Sequence, residues 1–407
     1  MEKYELRHND DIVLLFSIND NFSINKILNI NNKEKIPLGL FNNNKIEITD
    51  INEWFLERGL PLKRNSINYI LEKENVNNIF ELIVKNDALS IVDHYWIAKE
   101  GSCLRWEEIN LNDNNKRFGK YGDDIYIGNK NEEVDKGKTA SSSANGLQPK
   151  MWVLHKGKRL LLKKSQEVSK QEPFSEYAAS LILERLNVEH VEYNLYDWKN
   201  EIVSGCENML DKNEELITAK YITNNKMLNH ESNLDHYIRK CKDLGLPENI
   251  KEQLDKMIVI DYLIGNIDRH WNNFGVIRSS ENLQGIKLAP LFDHGDAFFT
   301  RNHHMEMYEL NDDLECASFR KKQNDNLKFV KNIDWIKNDV LSEIPDILDK
   351  VLKMNIKYKT EGRDEIILSC IKRRIIKFRK QYGLKQSDWE NTKIVIDKKT
   401  ASLTGDG

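Results

Sequence analysis

One helix-period segment set among period-2 segments constrains this chain more than any other feature. In PFSEYAASLILERLNV, residues 173–188, the apolar residues Phe174, Ala178, Leu181, Ile182 and Leu186 recur at i, i+4, i+7, i+8 and i+12, the stripe of an amphipathic helix. Before it lies MWVLHKGKRLLLKKS, and after it VEYNLYDW, EIVSGCENML and ELITAKYI, β-like runs with turn signals at KGK, KNE and DKNEE. The expectation is an antiparallel sheet with one inserted helix. From about residue 231 the period becomes helical, through LDHYIRKCKDLG, ENIKEQLDKMIVIDYLIGN, DWIKNDVLSEIPDILDKVLKMN and EIILSCIKRRIIKFRKQYG. One hairpin interrupts it, FGVIR and IKLAPLF joined by SSENLQG. A small β lobe with one helix and a larger helical lobe make a bilobal α+β body, and the cleft between them is the default ligand site.

Ahead of this body, residues 1–130 read as a small mixed α/β domain of unassigned role. It mixes strands such as DIVLLFSI with three helical pieces, ITDINEWFLERG, RNSINYILEKEN and NNIFELIVKN; the first ends on Gly59 as a helix C-cap would. Short helices in series also occur in DNA-reading modules, but the segment is not notably basic, and its apolar stripes serve any small helical core. The stretch NKNEEVDKGKTASSSANGLQ, residues 129–148, then breaks all periodicity and reads as a linker running into a flexible loop. The expected division is 1–130, a small lobe at 131–230, a helical lobe at 231–395 and a flexible tail at 396–407.

Composition narrows the class. The net charge of −4 over 407 residues argues against a surface built wholly for nucleic acid. The five cysteines lie far apart without a C-x-x-C pair, as in a protein of a reducing compartment. No run approaches 18 apolar residues and the start MEKYELRHNDD is not a signal peptide, so a cytoplasmic protein without a membrane partner is expected.

The chemistry concentrates in GNIDRHWNNFGVI, residues 265–277, where polar residues crowd one turn between an apolar helix and a β-like run. Asp268 and Asn273 stand five apart, and the hairpin that follows ends in Asp293-His294-Gly295. Phosphoryl transfer from a nucleotide needs a carboxylate to orient and deprotonate a hydroxyl, two oxygen ligands for Mg²⁺ and a cation on the phosphates. Asp268 suits the base, and Asn273 and Asp293 suit the metal. D-x-x-x-x-N followed by D-x-G has the spacing of a protein-kinase catalytic loop and its metal-binding aspartate. Upstream, Lys163 on the strand RLLLKKS can reach the α- and β-phosphates, with Glu176 on the following helix as its ion-pair partner. Lys164 points to the other face of the strand, and a one-residue slip would exchange the two lysines. The loop ANGLQPK, with Asn145, Gly146, Leu147, Gln148 and Lys150, stands where phosphates would be covered.

SSSANGLQPKMW, LLLKK, SEYAASLILERLNV, GNIDRHWNNFGV and LAPLFDHG together resemble the HipA-like serine/threonine kinases, including their cell-translocating-kinase branch, over roughly residues 138–385. D-R-H-x-x-N with a later aspartate is shared more distantly with phosphoinositide 3- and 4-kinases. The resemblance implies a bilobal kinase that uses ATP and Mg²⁺ to phosphorylate a protein on serine or threonine. By position, Asp268 would be the catalytic base, Asn273 and Asp293 the Mg²⁺ ligands, Lys163 the phosphate-binding lysine and Glu176 its partner. His270 would sit beside the phosphates and Glu207, Asn208 and Met209 would form the adenine hinge. Ser143 would be the autophosphorylated residue, with Thr139, Ser141 and Ser142 as alternatives. Growth arrest, toxin activity and phage defence are the settings the family implies, with translation factors or aminoacyl-tRNA synthetases as targets. An antitoxin partner belongs to the same picture, although residues 1–130 do not resemble the short β-rich amino-terminal domain of the best-known members.

Two further stretches carry readings of their own. His303 and His304 lack Cys or Glu at ligand spacing and read as solvated loop residues. IKRRIIKFRK, residues 371–380, has the charge to meet an acidic partner, an RNA backbone or a membrane surface, but also reads as a helix that packs Ile371, Ile375, Ile376 and Phe378 and leaves its charges in water. The tail KTASLTGDG is expected to be disordered.

Overall fold

Strands β1 (Lys3–His8), β2 (Asp11–Ile18) and β3 (Ile24–Ile30) begin an antiparallel sheet of order β3-β2-β1-β4 in a computed structural model. The structure describes residues 2–42, 44–64, 66–113, 127, 140–143, 148–166, 169–224, 227–302, 306–307, 313–356 and 362–385. Helices α1 (Ile48–Leu56), α2 (Ile67–Lys73) and α3 (Ile79–Lys85) precede β4 (Tyr95–Lys99), and the short α4 (Trp106–Ile109) follows it. The apolar stripes of α1 to α3, among them Ile51, Phe55, Ile70 and Leu82, share a core with Leu6, Leu14 and Phe16 of the sheet. Helix α1 ends at Leu56, so Gly59 lies beyond it rather than capping it. The glycine is needed because Ile83 packs there, 2.8 Å from where a Cβ would stand.

The second sheet has the order β5-β6-β8-β7, from β5 (Lys150–His155), β6 (Lys158–Lys163), β7 (Tyr193–Trp198) and β8 (Glu201–Glu207). Its two hairpins turn at Lys156-Gly157 and Lys199-Asn200, all four residues at positive φ, the conformation whose twist matches two antiparallel strands. Helix α5 (Glu172–Arg185) connects the hairpins and opens with Pro173 in its first turn. It is buried on more than the expected stripe: Ser175, Glu176, Ala179 and Leu183 are buried as well as Phe174, Ala178 and Ile182. The helix is covered on both sides, by the second sheet and by the helical half of the chain.

ELITAKYI departs from its sequence reading. Strand β9 (Glu214–Thr218) does not extend the second sheet, and α6 (Ala219–Ile222) takes the rest of the run. After α7 (Asn233–Asp243) and α8 (Ile250–Ile264), β10 (Gly275–Ser279) pairs with both β9 and β11 (Gly285–Leu288) in a third antiparallel sheet. Gly275 permits this pairing, because a Cβ there would lie 2.1 Å from the Ile217 carbonyl oxygen. Helices α9 (Gln323–Leu327), α10 (Asn338–Leu352) and α11 (Arg363–Tyr382) complete the largest apolar core with α5, α7 and α8. Among the described residues no helix is long and apolar enough to cross a membrane.

A buried ionic knot fastens the first sheet to the third. Glu215 on β9 is fully buried, with His8 Nε2 at 2.8 Å, and it accepts from the His94 amide and Arg278 Nε, each at 2.8 Å. Burial opposes its ionisation, but the His8 hydrogen bond and the Arg278 charge prevail and hold the carboxyl down at about 2. Beside the knot, the Leu216 amide donates to the Val92 carbonyl at 2.8 Å.

In α11, Ile371, Ile375 and Phe378 are buried, whereas Ile376 is only partly so. Two of the six basic residues of that run, Arg374 and Arg379, point inward rather than into water.

Candidate active site

The register of β6 decides between the two lysines. Lys163, the last residue of β6, faces inward and is 3% exposed, while Lys164 turns away to Glu201 at 2.9 Å. Lys163 Nζ donates to Glu176 Oε1 at 2.7 Å, Asp293 Oδ1 at 2.8 Å and the Tyr193 hydroxyl at 3.2 Å, using its three donors on a helix, a loop and a strand. Glu176 is fully buried on α5, and its other oxygen accepts from the His294 amide at 2.8 Å. Burial alone would lower the lysine and raise both acids; the charges of Asp293 and Glu176 carry Lys163 well above its ordinary value. Lys163 and Lys150 hold Asp293 low against its burial, whereas burial leaves Glu176 raised despite Lys163.

The polar turn after α8 is braced internally. Gly265, at φ 64°, ends the helix in the left-handed conformation. Arg269, 0% exposed, donates to both Asp261 carboxylate oxygens at 3.0 Å, to the Asn273 carbonyl at 2.7 Å and to the Phe292 carbonyl at 2.6 Å. It thereby ties the turn to the residue preceding Asp293. Asn273 Nδ2 donates to the Asp268 carbonyl at 2.8 Å, and its Oδ1 makes no hydrogen bond among the described residues. Asp293 itself holds φ 61°, a strained value for a non-glycine residue that persists only where its surroundings over-determine it.

Asp268 sits apart from the lysine triad, partly exposed, with Arg301 Nη2 at 3.6 Å; the same guanidinium pairs with Asp296. Burial, together with the Asp296 carboxylate beside it, pushes Asp268 up to about 7, against the pull of Arg301. His270 Nε2 lies 3.9 Å from Asp268, and burial lowers its affinity for a proton. Burial also brings Lys150 down to about 8, with the charge of Lys163 acting in the same direction and Asp293 opposing it.

A cavity of about 820 Å³ joins these groups. Gln148, Lys150, Lys163, Glu207, Asn208, Met209, Asp268, His270, Asn273 and Asp293 all line it, and Glu176 stands behind Lys163. Asn145, Gly146, Leu147, Thr139 and the side chains of Ser142 and Ser143 lie outside the described residues. Ser141 is buried, and its Oγ accepts from the Trp152 amide at 3.0 Å.

Sequence reading did not find Tyr193, Arg269, Asp296 or Arg301, nor the wall that Trp54, Arg58, Val92 and Asp93 add from the first 113 residues. Tyr193 and this amino-terminal wall meet the site only through tertiary packing. Arg269 had a local signal, an arginine within the conspicuous turn.

The donor set is compatible with Mg²⁺. Asn273 Oδ1 and Asp293 Oδ2 are hard oxygens with no protein hydrogen bond among the described residues, and Mg²⁺ commonly takes one or two protein oxygens with phosphates and water supplying the rest. No group of three or more His, Cys, Asp or Glu among the described residues forms a closed metal cage.

Residues 142–353 match the family of HipA-like C-terminal domains. Over 149 residues the chain is 30% identical to the serine/threonine-protein kinase CtkA of Helicobacter pylori, covering 35% of this chain and 43% of that protein, so it spans less than half the length of that relative. A crystal structure described as a Helicobacter pylori proinflammatory kinase, CtkA, aligns over 58% of this chain and 95% of its own at 20% identity, with a TM-score of 0.44. HipA of Shewanella oneidensis, solved with HipB and operator DNA, aligns over 94% of this chain and 98% of its own at 13% identity and a TM-score of 0.52. At that identity the likeness is one of fold, but 94% coverage reaches into the amino-terminal residues that sequence reading set apart.

Proposed function

We infer the activity from family membership: the chain belongs to the HipA-like C-terminal domain family. It is an ATP- and Mg²⁺-dependent serine/threonine protein kinase of bilobal form, with nucleotide in the cavity. The observation that carries this reading is Lys163 bonded within 2.8 Å to both Glu176 and Asp293, on the wall of a cavity that also holds Asp268 and Asn273. One buried cation joined to a helix carboxylate and to a loop carboxylate is the arrangement a nucleotide's phosphates and their metal require.

In this reading Lys163 and Lys150 bind phosphate oxygens, and Asn273 and Asp293 hold Mg²⁺. The metal would supply neutralisation of the charge that builds on the transferring phosphoryl group. Asp268 accepts the proton of the acceptor hydroxyl. With Asp268 near 7, the base is only partly ionised at neutral pH, and its driving force for proton transfer is greater than that of an ordinary aspartate. His270, held uncharged by its burial, can donate a hydrogen bond to a phosphate without adding a competing charge beside Asp268.

The test is incubation with γ-labelled ATP and Mg²⁺, with Asp268→Ala in parallel, and mass spectrometry of the 138–150 peptide. Label on Ser143 or its neighbours in wild type alone supports a protein kinase that modifies its own loop. Nucleotide binding without labelled protein would overturn it in favour of a lipid or small-molecule acceptor, or of a silent scaffold. For the metal assignment, Asp293→Ala is expected to weaken MgATP binding by at least roughly 10- to 100-fold in a calorimetric titration. Wild-type affinity in that variant would remove Asp293 from the metal site. A toxin role and an antitoxin partner follow from the same family reading and predict growth arrest on expression that Asp268→Ala relieves.

A further inference from the structure

Helix α11 carries a basic run in which the inward-pointing Arg374 has a definite task. Arg374 is 0% exposed; its Nε donates to the Tyr262 carbonyl at 2.7 Å, and its guanidinium lies over the Tyr262 ring, 4.3 Å from the centroid. Its Nη2 donates to Gln323 Oε1. An arginine has no acceptor, so the glutamine must turn its oxygen to Arg374 and its nitrogen the other way. That nitrogen donates to two backbone carbonyls, Asp261 at 3.1 Å and Asn266 at 2.6 Å. Asn266, also 0% exposed, donates from Nδ2 to Asp261 Oδ1 at 2.8 Å and accepts from the Asp268 amide at 3.2 Å. A line of hydrogen bonds therefore runs from the last helix through two buried amide residues, Gln323 and Asn266, to the backbone of Asp268.

We propose that Gln323 and Arg374 are positioning residues for Asp268, so that α11 sets the placement of the base loop from behind. The proposal rests on the reading of Asp268 as the base. Gln323 lies on α9, outside the turn it supports, and touches none of Lys163, Glu176 or Asp293. Arg269 braces the same turn from the front, through Asp261 and the Phe292 carbonyl. Arg269 thus holds the Asp261 side chain, whereas Arg374 acts through Gln323 on the Asp261 carbonyl. Removing the rear brace frees the loop that carries Asp268 while leaving the phosphate side of the site intact.

Gln323→Glu is the decisive variant. It keeps the shape and its pairing with Arg374 but turns a carboxylate oxygen, in place of an N–H donor, toward two carbonyl oxygens. The expected result is a fall in kcat for self-labelling of roughly 10- to 100-fold, the order that a misplacement of about 1 Å causes. The KM for ATP should stay within about 2-fold. Amide hydrogen exchange across residues 266–269 should quicken in the same variant, a readout that needs no activity. Arg374→Lys, which retains the charge but loses the planar fork that reaches the Tyr262 carbonyl and Gln323 together, should give an intermediate effect and serves if Gln323→Glu does not fold. Unchanged exchange in a folded variant overturns the proposal. So does a rise in the KM for ATP that matches the loss in kcat, which would mean a collapse of the whole site. Quickened exchange in Gln323→Glu with no labelling by wild type would leave the brace standing and remove the kinase reading instead.

Discussion

Asp268→Asn is expected to reduce phosphoryl transfer by roughly 10²- to 10⁴-fold, the range that a positioned general base contributes, with MgATP affinity little changed. The separation of effects follows from the geometry, because Asp268 pairs with Arg301 rather than joining the Lys163, Glu176 and Asp293 triad. The substitution has a second signature, in stability. A carboxyl raised from 3.8 to about 7 on folding keeps its proton longer in the folded chain than in the unfolded one. The unfolded state therefore binds fewer protons across that window, and stability falls as pH rises through it. Asparagine does not titrate, so Asp268→Asn should melt progressively higher than wild type between pH 4.5 and pH 8. Parallel melting curves across that range would show that Asp268 ionises like an ordinary aspartate. Retained transfer in Asp268→Asn would exclude it as the base.

What the sequence disclosed about this site was what lies close along the chain. Asp268, Asn273 and Asp293 stand within one turn and the hairpin after it; strand alternation set Lys163 and Lys164 on opposite faces, and the register seen in the structure turned Lys163 inward. Lys163 and Glu176 are thirteen residues apart on adjoining elements, and the place of Glu176 early on the helix after the lysine's strand was enough to suggest their meeting, although Glu176 lies off the helix's apolar stripe. Across long separations the sequence joined Lys163 to Asp293 only through the motif they share, and it was silent on partners that no motif names. Tyr193 reaches Lys163 by strand pairing, Gln323 and Arg374 reach the base loop by helix packing, and Glu215 meets His8 from 207 residues away. The error over β9 has the same origin. A five-residue strand carries no local sign of which sheet it joins, and Gly275, whose missing side chain admits it, lies far along the chain. Burial of α5 on both sides was hidden because its second cover comes from helices more than a hundred residues later.

Lys163→Met should be the most damaging substitution to the folded chain itself. It leaves Glu176, fully buried, and Asp293 without the cation that both contact within 2.8 Å. Removing one member of a buried ion pair costs about 3–5 kcal/mol, most of it from the charge left behind. Urea melts at pH 8 should show a loss of that order. The deficit should shrink toward pH 5, because Glu176, whose carboxyl is already raised by burial, can then take up a proton in the folded state and cease to be an unpaired charge. A double variant, Lys163→Met with Glu176→Gln, separates structure from function. It removes the buried negative charge along with its cation, so a large part of the stability should return. MgATP binding should not return with it, because the phosphates still lack their buried cation. If Lys163→Met instead melts like wild type at pH 8, the triad is not closed in solution, and the geometry on which the kinase reading rests would be lost with it.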